Sequence, residues 1–226
     1  MQGRLEGRGP DFTPAVTRSM WLELPDHSRR CSQQLLDAQL EATRTNGTRA
    51  DHSFRNCAID ASRAHLREHL ATFRLQMDAN RHDLATAALG EAIAALHAFY
   101  TYSNYVELLA QEIPDWDDAA SERAALWSDS PRPSLAGHTL LSDYAAAAQP
   151  NLCPDGVRPA FNKATPTTTA GAAVISSWGL TAHEAAVHLA LDDTKAMLTA
   201  AYRERKQYGE KCGATLIWGF IPADWL

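Results

Sequence analysis

Apolar positions along this chain recur mainly at intervals of three and four, the spacing of helices that bury one side. From Asp26 to about Thr45, "DHSRRCSQQLLDAQLEATRT" predicts one such helix, closed by Asn46-Gly47. Ile59, Leu66, Leu70, Phe73 and Met77 share a face of a second, expected over about 54–77. "DANRHD" is a tight connection, and a further helix runs from near Asp83 to about Gln111, stopping before Pro114. A shorter helix over 13–24 ends near Pro25. Helical order returns at Thr181, where "TAHE" reads as a capping box, and continues to about Gln207. The segment "ATLIWGFIPADWL" is apolar and aromatic and is expected to pack back on the bundle.

Residues 112–180 break this pattern. Pro, Thr, Ser and Gly dominate, and helical periodicity fades after about Leu126. A loop this long in a compact domain needs a function or packing of its own. It reads as an ordered excursion, a lid pinned through Cys153. With no internal repeat and no dividing linker, the expected organisation is a flexible N-terminus over 1–12 and a single helical domain over 13–226.

Composition narrows the function classes. A chain of 226 residues suits one medium domain. A net charge of −6 without a basic stripe argues against nucleic acid. No apolar run approaches the roughly 20 residues needed to span a bilayer. The opening "MQGRLEGRGPDF" has no apolar signal region, so the expected compartment is cytoplasmic, or the secretory lumen if a leader has been removed. Cys31, Cys57, Cys153 and Cys212 permit two disulfides in three connectivities, and their spacing excludes a CxxC motif. Asn46-Gly47-Thr48 is a glycosylation sequon.

The most informative stretch is 83–108, "DLATAALGEAIAALHAFYTYSNYVEL". Phe99, Tyr100, Ser103, Asn104, Val106, Glu107 and Leu108 match the pattern H-x-L-x-D-F-Y-x-H-S-N-W-V-E-L, with Tyr105 in place of Trp. This resembles the signature helix of the Het-C heterokaryon-incompatibility proteins, of their von Willebrand factor A domain-containing relatives and, more distantly, of zinc-dependent phospholipases C. In the same order, "FTPAVTRSM", "SFRNCA", "CPDGVRPAFNKATP" and "HEAAVHLALDDTKAML" are similar to further segments of that family, so the resemblance spans about 12–200. It implies an all-α fold of the zinc-phospholipase C and Het-C type, with the long excursion at about 112–180 covering a cleft.

The resemblance also implies a metal cage that this chain lacks. The family's ligands in the signature helix fall on Ala94, Ala98 and Tyr102. Positions i, i+4 and i+8 lie on one helical face, where side chains converge on a cluster. Alanine has no donor, and neutral tyrosine is a poor ligand. Thr13 and Pro14 replace a His-Glu pair, Ser53 and Arg55 a His and an Asp, and Ala164 an Asp. Losses at several separate segments point to no metal and no cofactor at the inherited site.

Set against these are the titratable candidates. His97 sits one step from the former ligand face, as an acid–base group or as a histidine bonded at a helix interface. His183, in the first turn of its helix, presents a neutral imidazole or is a relic of the old site. His188, four residues after Glu184, reads as an exposed helical pair. "HLREH", residues 65–69, spells H-x-x-E-H, but the stripe of Leu66, Leu70 and Phe73 leaves both histidines on a flank. With no distant glutamate marked as a third ligand, a solvated face is the expectation. "DDAASE" and "LDDTK" resemble aspartate-rich magnesium motifs of terpene synthases but read as exposed acidic turns.

The leading expectation is a repurposed, metal-independent enzyme acting on a hydrophobic small molecule or lipid, a cyclase or isomerase of biosynthetic type. His97, Tyr102 and His183 are its catalytic candidates, and Ala94, Ala98, Phe99, Asn104, Tyr105 and Trp178 its substrate-binding ones. One alternative is a non-catalytic descendant that binds lipid or a partner protein. Another is a zinc-dependent hydrolase with displaced ligands such as Asp51, His52, His97 and His183.

Overall fold

The apolar spacing becomes a mostly helical architecture. A computed structural model describes residues 26–46, 49–128, 139–144, 152–154 and 159–204. The expected helix over 13–24, the closing aromatic segment and the family-like start at Thr13 and Pro14 lie outside the described residues. In order, the elements are α1 (Asp26–Asn46), α2 (Ala50–Ser53), α3 (Ile59–Asp78), α4 (His82–Tyr102), α5 (Tyr105–Glu112) and α6 (Trp116–Ser121). They continue with α7 (Thr169–Ala172), β1 (Val174–Ile175), β2 (Leu180–Thr181) and α8 (Ala182–Glu204). The two strands form a small antiparallel hairpin, Val174 opposite Thr181.

Helix α4 is the centre of the bundle. It packs chiefly on α3 and α1, with α8 across it. Ala85, Leu89, Ala92, Ile93, Leu96 and Phe99 are buried around nearly its whole circumference, as expected of an apolar helix enclosed by others. Gly90 permits the approach of α1. A Cβ there would lie 2.7 Å from the Ala38 Cβ and 2.8 Å from the Gln39 backbone nitrogen.

The expected capping box starts α8. The Thr181 N–H donates to Glu184 Oε2 at 2.8 Å, and the Glu184 N–H donates back to Thr181 Oγ1 at 3.2 Å. From there Ala182, Ala186, Leu189, Asp193 and Met197 follow one buried stripe.

Two expected helices need correction. The one over 54–77 begins at Ile59, because Phe54, Asn56 and Cys57 take left-handed φ values of 53°, 53° and 58°. Buried Phe54 anchors this turn, its N–H donating to Ser62 Oγ at 2.9 Å while the Ser62 hydroxyl donates to the Ala50 carbonyl. The helix over 83–111 is broken at Ser103 and Asn104, where part of the excursion pairs with the backbone. The Asn104 N–H donates to Leu141 O at 2.9 Å and the Asp143 N–H to Tyr102 O at 2.6 Å. Those bonds replace the helical ladder that the apolar pattern alone would continue.

The excursion is ordered where described. A disulfide joins Cys57 to Cys153, tying the left-handed turn to the segment beyond residue 144. Asn56 adds two backbone bonds, its N–H to Asp143 O at 2.8 Å and its carbonyl from the Leu152 N–H at 2.9 Å. No helix among the described residues is long and apolar enough to cross a membrane.

Candidate functional site

The signature motif builds the α4–α5 break. Asn104 brackets the returning chain with its side chain, Oδ1 accepting from the Leu141 N–H at 2.8 Å and Nδ2 donating to Thr139 O at 3.2 Å. Lys163 is fully buried below it. Its Nζ donates to Ser103 O at 2.6 Å, to Phe161 O at 3.0 Å and to the Glu107 carboxylate at 3.0 Å. Burial pulls the ammonium pKa down and Glu107 opposes it, so the lysine sits in a hydrogen-bonded cage. His183 Nδ1 lies 2.7 Å from Lys163 O; a carbonyl only accepts, so Nδ1 carries the proton. Ser103, Asn104 and Glu107 of the motif thus fasten the excursion to the bundle.

Beside this cage, Tyr102 faces a cation. The Arg55 guanidinium carbon lies 4.0 Å from its ring centroid. Arg55 Nε is a buried donor without a hydrogen-bond partner among the described residues. Half-buried Asp143 accepts from the Phe161 N–H at 3.1 Å. Burial raises the Asp143 carboxyl pKa, against the opposing pull of Arg55, that N–H and Lys163. Ala94 and Ala98 are half-buried on the preceding turns of the same face.

The remaining expected residues do not gather around one chamber. Phe99 and Tyr105 are core, their tilted rings in contact at 5.1 Å between centroids. Trp178 lies against Trp116 and donates from Nε1 to Ile113 O at 2.9 Å. A cavity of about 590 Å³ bounded by described residues lies instead along α3, lined by Arg67, Glu68, Leu70, Arg74 and Trp127 among others. It takes in none of the expected substrate-binding residues.

His97 is sealed inside. Gln39 Nε2 is 3.1 Å from Nδ1, and Nε2 is 3.0 Å from Thr194 Oγ1. The Thr194 hydroxyl donates to Ala190 O, so it accepts from Nε2–H, which leaves Nδ1 to accept from Gln39. Burial pushes the His97 pKa down to about 3. It is a neutral structural link between α1, α4 and α8, not an acid–base group.

The "LDDTK" reading also changes. Asp193 is buried rather than exposed, accepting from Tyr100 Oη at 2.8 Å, from Trp127 Nε1 at 2.7 Å and from the Ala125 N–H at 3.1 Å. It pins the chain after α6 over the bundle. "DDAASE" does lie at an exposed helix start, with Asp115 accepting from the N–H groups of Asp117 and Asp118.

The largest departure concerns "HLREH". His65 and His69 are half-buried, and one ligand atom from each lies within 4.8 Å of the other and of a Glu91 carboxylate oxygen. The flank of α3 that reads as solvated is covered by α4, which carries Glu91, and by α2. His52 from α2 stacks on His65 at 3.6 Å between centroids, and His65 meets His69 at 4.3 Å. Burial, reinforced by the other two imidazoles, pushes the His65 pKa down to about 4. Asn46 Nδ2 contacts both Glu91 oxygens at 3.0 Å, so the end of α1 fixes that carboxylate. His188 is exposed and lies near Trp116 rather than in either cluster.

Comparison with known proteins adds no relative: no family model, no curated protein and no solved structure matches this chain.

Proposed function

We propose that the protein is an enzyme that works without metal at the α4–α5 break, on a scaffold of the Het-C and zinc-phospholipase C kind. The observation that carries this reading is the Arg55 guanidinium held 4.0 Å over the Tyr102 ring, beside half-buried Asp143. On the family reading, Arg55 and Tyr102 stand at two former ligand positions, so a fixed side-chain cation replaces a bound ion. Such a group attracts a carboxylate or phosphate and needs no cofactor.

Asp143 supplies the acid–base group. Burial raises its carboxyl pKa, which makes the carboxylate a stronger base. The Tyr102 ring and half-buried Ala94 and Ala98 offer an apolar wall. The substrate class is a small molecule with one anionic group and an apolar body. The reaction class is an isomerisation or cyclisation driven by proton transfer. Arg55 and Asp143 take the roles that the sequence suggests for His97 and His183, since His97 is enclosed and His183 is bonded to Lys163 O.

A second reading, a binding module without turnover, draws on the burial of Phe99 and Tyr105, which removes two expected wall residues to the core. A panel of amphipathic carboxylates and phosphate esters, screened by ligand-detected NMR in the presence of chelator, tests both. The enzyme reading expects binding that Arg55→Ala abolishes and turnover that Asp143→Asn abolishes. Binding without turnover supports the module. No binding, or binding that chelator removes, sinks both readings.

A further inference from the structure

We infer that His65, His69 and Glu91 form a binding site for one divalent transition-metal ion of the zinc class, separate from the α4–α5 break. Four-residue spacing on α3 puts the two imidazoles on one face, and α4 brings the carboxylate to meet them. Glu91 precedes Tyr102 by eleven residues, which is about 16 Å along the helix axis. The two sites therefore share α4 without sharing ligands.

The donor set suits the ion. Two imidazoles and a carboxylate are borderline ligands that zinc accepts and that calcium or magnesium, which prefer all-oxygen shells, do not. Bonds of about 2.1 Å set tetrahedral ligand atoms about 3.4 Å apart. Atoms already within 4.8 Å of one another have only about 1.4 Å to close to reach that spacing. Three protein ligands leave the fourth position for water, as in catalytic rather than structural zinc sites.

Two further observations point to an ion. His69 Nδ1 and His52 Nδ1 are buried nitrogens without a hydrogen-bond partner among the described residues. A bound ion is one way to satisfy such a buried nitrogen. Outer support is also present. Asn46 holds both Glu91 oxygens, and His52 backs His65. The nearby cation Arg49 is paired with Asp51 at 3.1 Å, which offsets part of its charge.

The test is metal binding by the full chain, read by competition against a chromophoric chelator and by the visible spectrum of the cobalt(II) form. We expect one equivalent of zinc and an intense four-coordinate cobalt spectrum. His69→Ala and Glu91→Gln each weaken zinc by more than about 100-fold, and Asn46→Ala by about 10- to 100-fold. His188→Ala, an exposed histidine on α8, leaves affinity unchanged. No binding by the wild type overturns the site. So does a weak six-coordinate cobalt spectrum, or zinc retained by both His69→Ala and Glu91→Gln, either of which marks an adventitious ion only. Because neither readout involves turnover or a substrate-like ligand, this result is independent of the chemistry at Arg55 and Asp143.

Discussion

Two stretches of α4 teach opposite lessons. Around Tyr102 the sequence resembles a metal motif, yet the space beside it holds a guanidinium and a buried lysine cage. Around Glu91, in a run of Ala, Gly and Leu, nothing announces chemistry, yet two histidines converge on the carboxylate. The difference lies in who supplies the partners. At the first site the motif's kept residues serve the backbone, with Asn104 and Glu107 holding the excursion in place. At the second, packing of α2, α3 and the end of α1 on α4 brings to Glu91 groups that are 22 to 45 residues away.

The comparison is broken most forcefully through the metal. If the Glu91 region is the cation site, His69→Ala costs more than about 100-fold in zinc affinity. Tyr102→Phe then costs nothing in zinc. Calorimetric titration of both variants checks the pair.

Next in size is the disulfide. Cys57–Cys153 closes a loop across 96 residues of separation and anchors the chain that pairs with the α4–α5 break. Cys153→Ser should lower stability by about 2–4 kcal/mol in urea denaturation. Hydrogen exchange should quicken at the Asn104 and Asp143 amides, whose bonds depend on that chain. Zinc affinity should not follow, because the His/Glu pocket takes no residue from the excursion.

Gly90→Ala probes the close contact of α1 with α4. The added methyl meets Ala38 and the Gln39 backbone, so a loss of about 1–3 kcal/mol is expected from overpacking. Since α1 also delivers Asn46 to Glu91, the same change should weaken zinc while leaving the Arg55 and Tyr102 contact intact. Arg55→Ala is smaller, about 1 kcal/mol of stability from the lost ring contact. Its larger signature is loss of anionic ligand binding.

Acid sensitivity is the gentlest probe. His97 titrates at about 3 in the fold against about 6.5 when unfolded, so the fold favours its neutral form. That stabilisation is fully present above about pH 6.5 and drains away as pH falls towards 3. Asp193 acts in the opposite sense, because burial raises its pKa and its protonated form is the easier one to enclose. Urea midpoints between pH 7 and 4 should therefore fall for the wild type, and fall less steeply for His97→Gln.

How much of this was legible follows from the physics of each element. The helix over Asp26–Asn46 and the start of α8 carry local signals, a periodic apolar face and a capping box, and local signals survive folding. The break at Ser103 and Asn104 has no local cause; it comes from pairing with residues 139–143, far along the chain. Asp193 was within reach, since it falls on the α8 stripe of Ala186, Leu189 and Met197 that helical phase predicts. Glu91 was not, because its meaning depends on which flank of α3 rests against α4.

The most direct measurement is the position of bound zinc in crystals of the full chain, from diffraction data collected on both sides of the zinc absorption edge. The account predicts one anomalous peak between His65, His69 and Glu91 and none beside Tyr102. A peak at Tyr102 with the His/Glu pocket bare would contradict it.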